Sequence, residues 1–150
     1  MEPMALRVAG GTSRGLQRFS SDVHWDEEPM QWNSHQLGAD AMGEPDGVRR
    51  VAETGLGKKG QDAVGVAWQY CGPLGTVENC QVGVCAGYAS RQGDALVDKR
   101  LFLPEAWCTN ASAARQTACK VPKELAFQRK PPLAAAMVAA ITREGLLPFK

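Results

Sequence analysis

Hydrophobic residues recur at every second position in successive runs through the middle of the chain. The period-two pattern opens at Val48. Val64, Val66, Trp68 and Tyr70 then alternate with small or polar residues, as a half-buried strand requires. Cys80 to Tyr88 repeats the pattern, with Val82 and Val84 on one face and Gln81, Gly83 and Cys85 on the other. Ala95 to Leu103 is the next run, and Cys71-Gly-Pro-Leu-Gly75 and Arg91-Gln-Gly93 supply turns between them. Strands joined this closely predict an antiparallel meander of three to four strands, because parallel neighbours need crossovers of about a dozen residues.

Helical spacing flanks the meander. Asp26 is a predicted N-cap, followed by Glu27 and Glu28 in the first turn and Pro29 where proline is tolerated. Met30, Leu37 and Ala41 are the predicted buried stripe, and Gly43-Glu-Pro-Asp-Gly47 closes the helix. The opening segment, Met1 to Ser21, has little periodicity and reads as a solvated loop carrying Arg7, Arg14 and Arg18. Downstream, Glu105 to Lys120 is Ala-rich and partly helical, and Val121-Pro122 ends it. The sharpest helix is Leu133 to Glu144, started by Pro131-Pro132, striped by Leu133, Met137 and Ile141, and stopped by Gly145. Leu146-Leu-Pro-Phe149 then reads as the start of a buried strand. The fold class is therefore α/β, and we divide the chain into residues 1–47, loop and helix, and the domain 48–150.

Composition narrows the options. The 150 residues are 44% apolar and 22% charged, with formal net charge +1, so a modest core is within reach and no bulk positive charge advertises nucleic acid. Residues 1–50 hold five Lys/Arg against eight Asp/Glu, whereas 51–150 hold twelve against eight, a mildly basic remainder that permits a polyanionic partner. No run approaches the roughly 18 apolar residues of a membrane span. Residues 1–11 lack a secretory pattern, so a cytoplasmic location is expected. The five cysteines (71, 80, 85, 108 and 119) include no CxxC pair and read as free, mostly buried thiols.

Gly55-Leu-Gly57-Lys-Lys-Gly60 fits the dinucleotide fingerprint GxGxxG literally. That fingerprint works only by seating a pyrophosphate on the N-terminus of a following helix. Here a strand pattern follows, so the glycines are expected to shape a loop, and an oxidoreductase reading rests on this motif alone.

Other residues carry a resemblance. Glu53-Thr-Gly55, Lys58-Lys-Gly60, Val64-Gly-Val66, Gln69-Tyr70, Asn79-Cys-Gln-Val-Gly-Val84, Tyr88-Ala-Ser90, Leu96-Val-Asp-Lys-Arg-Leu-Phe-Leu-Pro104, Trp107 and Lys130-Pro131 occur in this order. Together they resemble transposases of bacterial insertion sequences, in the DDE superfamily endonuclease group with its RNase H-like core. Upstream, Met1-Glu-Pro-Met4, Arg14-Gly-Leu-Gln-Arg18 and Trp25-Asp-Glu-Glu28 match more loosely. The resemblance implies DNA cleavage and strand transfer at insertion-sequence ends. It implies three carboxylates holding two Mg²⁺ ions, which act on the attacking and leaving oxygens of a phosphodiester. It further implies that these residues come from the middle of a longer protein, with Met1 internal and an incomplete core ending before the second catalytic strand. The strand at Val48–Thr54 would then lack a partner on its far side, leaving an exposed edge.

The first carboxylate of the group precedes Glu-Thr-Gly, and here that position is Ala52. A methyl group cannot ligate magnesium, and Glu53, the adjacent stand-in, is expected to point to the opposite face. Asp98 has no catalytic place in the pattern and is expected to be exposed or ion-paired. Arg49 and Arg50 stand where a central strand should be apolar, Trp68 replaces a basic residue, and Thr76 replaces a lysine. Lys58 and Lys59 remain as candidate phosphate contacts. The expectation is a catalytically inactive transposase fragment with no intact catalytic residue and no bound Mg²⁺. The alternative is a non-enzymatic module that binds DNA or a full-length transposase as an inhibitor.

Overall fold

A computed structural model describes residues 10–23, 26–122 and 125–148. In chain order its main elements are α1 (Ser13–Asp22), α2 (Glu27–Met42), β1 (Val48–Gly57), β2 (Ala67–Cys71), β3 (Thr76–Ser90), β4 (Gly93–Phe102), α3 (Ala113–Ala118) and α4 (Lys130–Glu144). The chain divides into two units, residues 1–30 and 31–150.

In the first unit, Ser13–Asp22 is helical where a loop is predicted from the sequence. The Thr12 hydroxyl caps it by accepting the Gly15 amide at 3.0 Å, a start signal that the serines and glycine around it obscure. Arg14 and Arg18 therefore lie on a helix, and Arg7 falls outside the described residues. Asp26 caps the next helix as predicted, its carboxylate accepting the Glu28 amide at 3.3 Å.

In the second unit, the four strands among the described residues join one antiparallel sheet around β3. β1 pairs with residues 80–89 of β3, β2 with 76–80 and β4 with 82–90. Along β3, Cys80, Val82, Val84, Ala86 and Tyr88 are buried, while the residues between them stay partly exposed. One face of the sheet is thus a core face, and Val84, Ala86, Tyr88 and Val97 pack there with Met137, Ile141 and Leu147. This is the mixed α/β fold the pattern predicts, consistent with a partial RNase H-like core. β2 begins only at Ala67, because Val64 and Gly65 belong to the preceding loop and Val66 packs with Trp107 and Leu103.

The helices depart from prediction in one respect and keep to it in another. The α4 stripe holds: Met137 and Ile141 are buried, and Gly145 ends the helix at φ 68°. The predicted α2 stripe does not, since Met30 and Leu37 are exposed while His35 is buried and Ala39 and Met42 lie against the core. His35 determines which side turns inward. Its Nε2–H donates to the Val97 carbonyl, and its Nδ1 lies 2.5 Å from the Glu144 carboxylate. The Val97 carbonyl is available because β4 bulges there: Gly87 pairs with Leu96 and Ala86 with Asp98, leaving Val97 as the extra residue. Val97 and Asp98 are consequently both buried, and Asp98 is ion-paired to Arg100 at 3.5 Å. The 145–148 segment forms no strand, and Leu147 instead plugs the core.

His35 therefore ties α2 to both β4 and α4. His35→Ala is expected to destabilise the protein by about 2–3 kcal/mol, because the Val97 carbonyl loses its donor in a buried position. Urea unfolding monitored by circular dichroism measures this.

Candidate functional site

The residues singled out by sequence cluster on β1 and the loop that follows it. The ladder pairs Ala52 with Cys85 and Glu53 with Val84, and paired residues share a face. Val84 belongs to the core face, so Glu53 lies on the side covered by α4, and Ala52 lies on the opposite, open side. Glu53 receives Lys130 Nζ at 2.6 Å, and that ammonium also sits 5.2 Å from the centre of the Phe102 ring. Two pieces of the sequence pattern, Glu53-Thr-Gly55 and Lys130-Pro131, thus meet as an ion pair between β1 and the first turn of α4.

Across the open face from Ala52 the ladder continues through Cys85 to Lys99. A methyl, a thiol and an ammonium in one row offer no oxygen donor, and a hard divalent cation takes oxygen ligands. Among the described residues, no group of three or more His, Cys, Asp or Glu side chains is placed to hold a metal ion. The residues around position 52 do not fit a magnesium pair. Asp98 offers no substitute, being buried and held by Arg100 and by the Lys99 amide at 2.6 Å.

The two arginines of β1 separate by face. Arg49 turns to the core side and is half-buried, donating to Thr142 Oγ1 at 2.5 Å and to the Leu147 carbonyl at 2.7 Å. Burial lowers its pKa, with Tyr88 acting in the opposite direction. Arg50 is exposed on the open side. Gly55 on the core side faces Cys71, whose Sγ lies 2.6 Å from where a Cβ would stand, so no larger residue fits without a shift. Cys71 and Cys80 are buried free thiols, and burial followed by the neighbouring Cys71 pushes the Cys80 thiol up. Trp68 and Tyr70 stand on the open side with much of their surface exposed.

Lys58 and Lys59 are exposed on the loop between β1 and β2. No helix follows, so the GxGxxG glycines make no phosphate cradle, and Gly60 and Gly65 adopt positive φ of 87° and 77° within the loop. The loop is fastened by side chains from the strands. The Asn79 amide donates to the carbonyls of Lys58 at 2.9 Å and Gly60 at 2.7 Å. Gln81 donates to the Val64 carbonyl, and Gln69 donates to those of Cys80 at 2.9 Å and Gly65 at 3.4 Å. Buried Trp107 donates to the Val66 carbonyl at 2.8 Å, and the Arg115 guanidinium lies 3.8 Å above its ring centre. The sequence pattern marked Gln69, Asn79, Gln81 and Trp107 without indicating a task for them. Their positions beside period-two apolar residues were the available signal.

An antiparallel sheet whose core face is covered by α4, in a mixed α/β fold, together with a nuclease-type pattern along β1, defines the class. The family model of the DDE superfamily endonucleases matches residues 1–149. The chain belongs to that family of transposase-like nucleases, whose substrate is DNA and whose chemistry is generally magnesium-dependent. No curated protein and no solved structure matches it. No helix among the described residues is long and apolar enough to cross a membrane.

Asn79→Ala is expected to free the Lys58–Gly60 loop, costing about 0.5–1.5 kcal/mol. Amide hydrogen exchange should quicken across residues 58–66 while the β3–β4 ladder keeps its protection.

Proposed function

We propose that this chain derives from an insertion-sequence transposase and does not itself cleave DNA. The observation that supports this reading is the pair of faces on β1. The carboxylate position of the pattern is a methyl on the open side, and the adjacent carboxylate is turned to the other side and engaged by Lys130. Moving Glu53 to the open side would take a one-residue slip, which would also swing Val51 and Gly55 out of the core face and Ala52 into it. An ion pair at 2.6 Å opposes that slip as well.

What remains suited to DNA is a short basic loop. Lys58 and Lys59 are both exposed, and Asn79 holds the backbone that carries them. This favours the second reading, a non-enzymatic module that touches the DNA backbone or a full-length transposase. Two lysines give weak binding that salt abolishes readily. In this reading residues 48–150 are the part that carries the partial nuclease core, and the chain acts in the cytoplasm.

The test is strand cleavage of terminal-inverted-repeat DNA with Mg²⁺ or Mn²⁺. We expect no specific nicking, and Ala52→Asp alone should not produce it, because one carboxylate does not hold an ion pair. Specific nicking that vanishes in Glu53→Ala would overturn the proposal. A gel shift at low salt that weakens several-fold in Lys58→Ala/Lys59→Ala supports the binding reading.

A further inference from the structure

We infer that His35 is an imidazolium in the folded chain, and that its second ring proton acts as a pH-sensitive clamp holding α2 against β4 and α4. The ring is buried, and each of its nitrogens meets an oxygen. Nε2 meets the Val97 carbonyl, and Nδ1 meets the Glu144 carboxylate at 2.5 Å. A carbonyl and a carboxylate only accept, whereas a neutral imidazole offers one N–H and one bare lone pair. Either neutral tautomer therefore sets a lone pair against an oxygen. With the proton on Nδ1, the buried Val97 carbonyl loses its donor; with the proton on Nε2, the bare Nδ1 faces the carboxylate. Only the doubly protonated ring satisfies both acceptors.

The position of Glu144 points the same way. It is the last residue of α4, where the helix end favours a cation and a carboxylate alone is ill placed. An imidazolium beside it offsets that cost. On the elements that meet in this core, other ionisable groups are engaged elsewhere or exposed. On β4, buried Asp98 is held by Arg100 at 3.5 Å and by the Lys99 amide at 2.6 Å. On β1, Arg49 donates to Thr142 and to the Leu147 carbonyl. On β3, the Tyr88 hydroxyl exchanges hydrogen bonds with the Glu44 backbone at 2.9 and 3.0 Å. Asp40 on α2, Asp94 and Lys99 on β4, and Arg143 on α4 are exposed.

The consequence has a definite sign. An imidazole in an unfolded chain gives up its second proton at about pH 6.5. In the folded chain the same loss leaves a lone pair against an oxygen, so folding favours the charged ring. The stabilisation is complete below that pH and is withdrawn as the pH rises and the folded ring deprotonates. Residues 31–42 of α2 are the part released, since His35 joins them to both neighbours at once. This device is independent of whether the chain cleaves or binds DNA.

The test reads the ring directly. His24→Gln leaves His35 as the only histidine of the 150-residue chain. Long-range ¹H–¹⁵N spectra at neutral pH should show both ring nitrogens protonated. Glu144→Gln removes the need for the second proton, because the amide can donate to a bare Nδ1. In that variant Nδ1 should lose its proton while Nε2 keeps its own. The urea midpoint of the parent should fall as the pH is raised from about 6 to about 9, and the fall should shrink in Glu144→Gln. Amide exchange over residues 31–42, corrected for its intrinsic pH dependence, should quicken in the same range in the parent. A neutral ring in the parent at neutral pH, or a fall in midpoint of equal size in both chains, would overturn the proposal.

Discussion

Hydrogen bonding along both edges of β3 holds the second unit together. At Cys80 the strand is paired with Gly57 on β1 and with Ala67 on β2 at once, and further along it carries β1 and β4. Because side chains alternate along a strand, this shared ladder sets one inside-outside rhythm for every partner. Val84 is buried, so Glu53 is on the helix side; Cys85 is not, so Ala52 is on the open side. The separation of these two adjacent residues follows from the ladder and not from their own chemistry.

The same sheet explains the structural tasks of many residues of the family pattern. Gln69, Asn79, Gln81 and Trp107 donate to carbonyls in or beside the loop at 58–66, whose backbone has no ladder to satisfy it. Gly55 leaves space for Cys71, and Lys130 ties α4 to β1 through Glu53. In this chain many residues of the family pattern hold β1 and the loop that follows it in shape.

Legibility in the sequence varied with the range of the interaction responsible. The strands were legible because Val82, Val84, Ala86 and Tyr88 recur at a spacing that local backbone geometry imposes. The α4 stripe and its Gly145 stop were legible for the same reason. The face of α2 was not, since hydrophobicity pointed to Met30 and Leu37 while a histidine bonded across 62 residues to Val97 turned the other side inward. The bulge that bares the Val97 carbonyl has no local mark in Leu96-Val-Asp98. Helix α1 escaped notice because its cap, Thr12, precedes Ser13 and Gly15, two residues of low helix propensity.

Sequence alone determined the strand periods, the absence of a helix after GxGxxG and the family, all of which depend on residue identity and near-neighbour spacing. Only the tertiary structure decided that Glu53 is engaged by Lys130, that Arg49 finds acceptors at Thr142 and Leu147, and that His35 and Asp98 are buried with partners. Those outcomes depend on which element arrives opposite which, and burial makes a charged or polar group accept whatever partner packing brings within reach.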